Sequence, residues 1–135
     1  MKYLLDTNAW IGYLRNSAPG IISKLSQLSI NDVYSCSIVL SELHFGALLA
    51  TGKRAAQNLA NLALLEKTYP SLPFDDAAAI DAAAIRFDLR KQGNTIGEYD
   101  VLIAAIARVN QFTLVTHNTG EFSRIPNLLI EDWQI

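Results

Sequence analysis

The chain has 135 residues, half of them hydrophobic and only 18% charged, with a formal net charge of −2. Length and composition suit one domain over residues 1–135 with a single core, and exclude a disordered chain. The absence of a basic excess excludes a protein held on nucleic acid by a broad cationic surface, but not an enzyme that handles nucleic acid through a local patch.

Residues 2–5 read as a buried strand, and Asp6 ends it after three apolar residues, too few for a signal-peptide core. Residues 8–15 read as a helix that Thr7 or Asn8 can start without help from Asp6. A turn at 17–20 leads to a helix with Ile21, Ile22, Leu25 and Leu28 on one side. Residues 33–36 form a second strand, where the lone cysteine, Cys36, reads as a core thiol with no disulfide partner. Helices follow at 38–49 and 54–68, the second broken before Pro70.

A third strand is expected at 72–74, then a long Ala-rich helix at 75–92 closed by Gly93. Residues 99–110 read as a helix, 112–116 as a strong strand and 128–130 as a last short one. The apolar run at 101–107 is far too short to span a bilayer, so no membrane association and a cytoplasmic location are expected. Short apolar strands alternating with helices indicate an α/β fold with a mostly parallel sheet. Ligands of such sheets sit beyond the carboxyl ends of the strands, where Asp6 and residues 116–118 fall.

Three acids stand out. Asp6 follows the first strand. Glu42 lies within about 60° of Ile38, Phe45, Gly46 and Leu49 around its helix, on an apolar face where an uncompensated charge is costly. Asp100 opens a helix and stacks above Ala104 and Ala107, which places it in a crevice; Glu98, in the same turn, can serve the helix dipole instead. Converging acids without matching bases repel, and a hard divalent cation, Mg²⁺ or Mn²⁺, is the simplest compensation. One or two such ions suit phosphodiester hydrolysis.

Other chemistries fit less well. His44 reads as a surface residue and His117 as a loop residue near the site, with no cysteine at zinc spacing. No nucleophile elbow, P-loop or dinucleotide fingerprint is present. Arg86 and Arg90, one turn apart, read as a solvated face that could meet a phosphate or a partner's acid.

The segments "LLDTN", "SELHFG", "IGEYDVLIAAIA" and "LVTHNTGEFSRIPNLLIEDW", in this order over nearly the whole chain, resemble the PIN-domain proteins, specifically the VapC-type toxins of toxin–antitoxin pairs. The resemblance implies a three-layer α/β/α sandwich and Mg²⁺-dependent endoribonuclease activity. By motif position it makes Asp6, Glu42 and Asp100 the metal-binding, catalytic carboxylates. It puts Asn118 at a fourth position, where an amide holds water or orients a neighbour, and makes Thr7 and Thr116 supporting hydroxyls. It further implies an RNA substrate, with tRNA as the leading class, a VapB-like antitoxin and a homodimer. The faces at 21–28 and 59–65 are candidate interfaces. Two rival readings are a non-catalytic PIN-fold binding module and a phosphatase using Asp6 as nucleophile; against the latter, the D-x-D pattern is broken by Asn8.

Overall fold

A computed structural model describes residues 1–134. Its order is β1 (Tyr3–Leu5), α1 (Thr7–Leu14), α2 (Pro19–Gln27), a 3-10 turn (Ile30–Asp32), β2 (Val33–Cys36), α3 (Ser37–Leu49) and α4 (Gly52–Thr68). Then come β3 (Ser71–Leu72), α5 (Asp76–Lys91), α6 (Glu98–Val109), β4 (Thr113–Val115), α7 (Thr119–Phe122) and β5 (Ile130–Glu131).

The strands form one parallel sheet in the order β3-β2-β1-β4-β5. β1 lies at its centre, and Tyr3, Leu4 and Leu5 are all buried although successive side chains point to opposite faces. Both faces are therefore covered by helices, as a parallel sheet requires. The core joins Leu4, Leu5 and Leu114 from the sheet to Trp10 and Ile21 from the first two helices and Ile103 and Ile106 from α6. Trp10, Tyr13 and Tyr69 pack ring against ring and fasten α1 to the end of α4. Arg108 on α6 donates two hydrogen bonds to Asp81 on α5, each 2.9 Å, and a third to the Pro126 carbonyl.

The expected elements are present, with shifts at weak edges. The strand expected at 72–74 pairs at Ser71–Leu72, because Pro73 lacks a donor to extend the ladder. The strand expected at 128–130 pairs at Ile130–Glu131, and the single turn α7 is too short to have a readable period. Asp6 does cap α1 after all: its Oδ1 accepts the Ala9 N–H at 2.9 Å. Of the candidate interfaces, Ile21, Leu25, Leu62 and Leu65 are spent on the core, so the face at 21–28 is not a free apolar surface. Exposed apolar side chains on α3 (Phe45, Leu48, Leu49), α4 (Leu59, Leu64) and α5 (Ile80, Phe87) are joined by Tyr99 and Val109 on α6 and by Met1, Ile30 and Leu129 outside the α-helices. Cys36 is a buried free thiol, pushed up to about 11, chiefly by burial.

The C-terminal segment is fixed by a close approach. A Cβ at Gly20 would stand 2.0 Å from the Trp133 carbonyl oxygen. Gly20→Ala therefore forces two backbones apart, and urea denaturation should show a loss of about 2–3 kcal/mol.

Candidate functional site

The parallel ladder sets three residues in one row. Leu5 pairs with Val115, and Val115 with Glu131. The next residues are Asp6, Thr116 and Asp132, and the ladder continues into them: Asp6 N–H donates to Val115 O at 3.1 Å, and Thr116 N–H to Glu131 O at 2.9 Å. Strand spacing of about 4.8 Å puts the outer members of this row roughly 10 Å apart along the carboxyl edge of the sheet.

Asp6 and Thr116 are buried there. The Asp6 carboxyl is raised above its ordinary range, first by burial and then by the charges of Glu42 and Asp132. Hydrogen bonds from the Thr116 hydroxyl and the Ala9 N–H oppose that rise. Thr7 does not cap its helix; its hydroxyl donates to Glu42 Oε1 at 2.6 Å, tying α1 to α3. Asp100, half-buried at the start of α6, is pushed up to about 6 by burial and by Asp6, Glu42 and Glu121, in that order. Ala104 and Ala107 beneath it are fully buried, as the crevice reading requires.

The structure thus brings Asp6, Glu42 and Asp100 into one electrostatic field, with Thr7 and Thr116 on two of the three carboxylates. The reason inferred for Glu42 is corrected. The buried stripe of α3 is Val39, Leu43 and Ala47, while Phe45, Gly46 and Leu49 are exposed. Glu42 sits half-buried beside that stripe and lines a cleft of about 140 Å³ with Arg15, Asn58 and Asn61 among its other walls. α3 is apolar nearly all round, so periodicity alone cannot choose its inner face.

Asn118 takes the orienting role open to an amide: its Nδ2 donates to Glu121 Oε2 at 2.9 Å, and its backbone N–H donates to the Thr116 hydroxyl at 3.0 Å. Glu121 and Asp132 are two site acids that reading the sequence missed. Asp132 had a signal, since it follows β5 just as Asp6 follows β1. His117 is exposed and pairs with Asp132, and His44 pairs on the surface with Glu66. Arg86 and Arg90 are exposed on α5.

No ion pair among the described residues includes Asp6, Glu42 or Asp100. Nor do three metal-ligating side chains already close into a cluster there. The donor set, all carboxylate and hydroxyl oxygen, fits a hard divalent cation, with side-chain rotation needed to close on it.

A parallel α/β sheet with acids gathered beyond its central strands is the arrangement of a PIN domain, and residues 3–128 match the PIN domain family. The chain belongs to that family, within its VapC-type ribonuclease toxins. It is 34% identical over 134 residues to Ribonuclease VapC2 of Rickettsia felis, covering 98% of each chain. It is 35% identical over 136 residues to the tRNA(fMet)-specific endonuclease VapC of Salmonella typhimurium, again covering 98% of each. In structure it superposes with TM-score 0.90 and 33% identity on a chain of Rickettsia felis VapBC2 bound to a promoter DNA fragment, covering 98% of this chain and 99% of that one.

The raised Asp100 has a consequence for stability. Its folded pKa of about 6 exceeds the unfolded value of about 3.9, so the folded chain holds the extra proton between these limits. The stabilisation is complete below pH 4 and is lost as pH rises through 6. In metal-free buffer, thermal melts should show this decline, of about 1 kcal/mol after screening of a half-exposed group. Asp100→Asn should flatten it.

Proposed function

We propose that this protein is a Mg²⁺-dependent endoribonuclease whose metal is held by Asp6, Glu42 and Asp100. The observation that carries the reading is that the carboxyls of Asp6, at the end of β1, and Asp100, on α6, are both raised by burial and by the charge of Glu42 on α3, with no neutralising side chain paired to any of the three. A divalent cation held by Asp6, Glu42 and Asp100 would relieve that repulsion and would supply Lewis-acid activation of water and charge neutralisation at the phosphodiester. Mn²⁺ meets the same oxygen chemistry, and one or two ions would serve it.

The chain's own contribution is orientation. The ladder fixes Asp6 at the strand end, its Oδ1 is held by Ala9 N–H, and Thr116 steadies the carboxylate. Thr7 restrains Glu42, and Asn118 holds Glu121 beside Asp100. In-line attack by water would form one P–O bond and break the opposite one, releasing a ribose hydroxyl and a phosphate monoester, and no side-chain nucleophile is required.

Relatives at 34% and 35% identity carry the name tRNA(fMet)-specific endonuclease, which supports tRNA as the substrate class. Relatives crystallised as VapBC complexes support a VapB-like antitoxin as partner. A cytoplasmic protein acting as one domain over residues 1–135, and self-associating as a homodimer, completes the reading. The exposed Phe45, Leu48 and Leu49 are an apolar surface such a dimer would cover. No helix among the described residues is long and apolar enough to cross a membrane.

Cleavage of purified tRNA in Mg²⁺ tests the assignment. Asp6→Asn and Asp100→Asn should each lower the rate more than about 100-fold with the circular dichroism spectrum intact. Full activity in both would remove the mechanism. Thr7→Val, which frees Glu42 without removing a carboxylate, should cost about tenfold, the scale of an outer-partner loss.

A further inference from the structure

His117 has no part in the reading above, yet its surroundings are built. Its Nδ1 lies 2.8 Å from Asp132 Oδ2. The other oxygen, Oδ1, accepts the Gln134 N–H at 2.9 Å, so the carboxylate is held at both ends. The Asp132 side chain is 12% exposed, whereas that of His117 is 63% exposed. Asp132 belongs to the row of Asp6 and Thr116, which sets the imidazole on the rim directly beside the acidic edge.

An ionised carboxylate only accepts, so Nδ1 carries the hydrogen. In the neutral ring Nε2 is then a lone-pair nitrogen, and it has no partner among the described residues. A lone pair has nothing to offer a phosphate oxygen, which is itself an acceptor. It suits a hydroxyl donor. The hydroxyl that RNA presents along its backbone, and DNA lacks, is the ribose 2′-OH.

We propose that His117, oriented by Asp132 as a positioning residue, accepts a hydrogen bond from a ribose 2′-hydroxyl of the strand lying across the β4–β5 rim, and so favours RNA over DNA. The inference rests on the nuclease reading and adds to it a residue that discriminates the sugar. A net-negative edge gains from this choice, because a neutral acceptor reads the sugar without needing a cation beside the acids.

The amide side chains separate the two ring nitrogens. In His117→Asn the amide can still donate to Asp132 but leaves nothing at the Nε2 position. In His117→Gln the amide oxygen reaches the Nε2 position and the link to Asp132 is lost. The probe is a fluorescent anticodon stem–loop of initiator tRNA, paired with one carrying 2′-deoxy sugars only in the loop. Binding is measured by anisotropy in EDTA at pH 8, where no turnover occurs.

Wild type should prefer the ribose loop, His117→Asn should shrink that preference about three- to tenfold, the scale of one hydrogen bond, and His117→Gln should keep most of it. An unchanged preference in His117→Asn, alone or with a loss in His117→Gln, would make the pair a structural pin and overturn the proposal. If wild type neither binds the ribose loop nor cleaves it in Mg²⁺, the nuclease reading fails, and this inference with it.

Discussion

Asp6 cannot retreat from its neighbours. Its backbone N–H is committed to Val115 O and its carbonyl to the first turn of α1 through Trp10 N–H, so the residue is clamped between a strand and a helix. Every other feature of the edge follows from that clamp. In a parallel sheet all carboxyl ends face the same way, and the acids that follow β1 and β5 meet there with those delivered by α3 and α6. An exposed cluster of acids would relax by turning outward. This one is held by main-chain hydrogen bonds that do not depend on its charge.

Hydroxyls manage the resulting field. Thr7 donates to Glu42 while staying neutral, and at Asp6 the Thr116 hydroxyl lowers the cost of ionisation, so neither fills the cleft with a competing cation. An Arg or Lys in either place would neutralise the acids permanently. The edge is thus left without a cationic side chain, while Arg108 pairs with Asp81 and fastens α6 to α5.

The sequence disclosed much of this because its strongest signals are local. Residues 2–5 and 112–116 are short, apolar and β-branched or aromatic enough to read as buried strands, and the acids after and between the elements follow from spacing. What it could not disclose is three-dimensional register. Asp132 and Glu121 become site residues only because β5 pairs with β4 in one register and α7 turns back toward α6. Periodicity points to Glu42 for a reason the fold does not bear out, because α3 is apolar on faces that never enter the core. Asp6 serves the strand, the helix cap and the edge together, a combination no single local signal reveals. Resemblance to the PIN family implies roles for these residues that periodicity does not.

The sheet ends in two strands of two residues each, β3 and β5. Pro70 and Pro73 bracket the first, and Glu131 belongs to the second. A chain with a fully apolar central strand would ordinarily risk pairing edge to edge with its copies. Here neither border is long enough to template another strand, and one is flanked by residues without a backbone donor. The brevity that makes these two strands hard to place also protects a sheet with an apolar centre from cross-β association at high concentration.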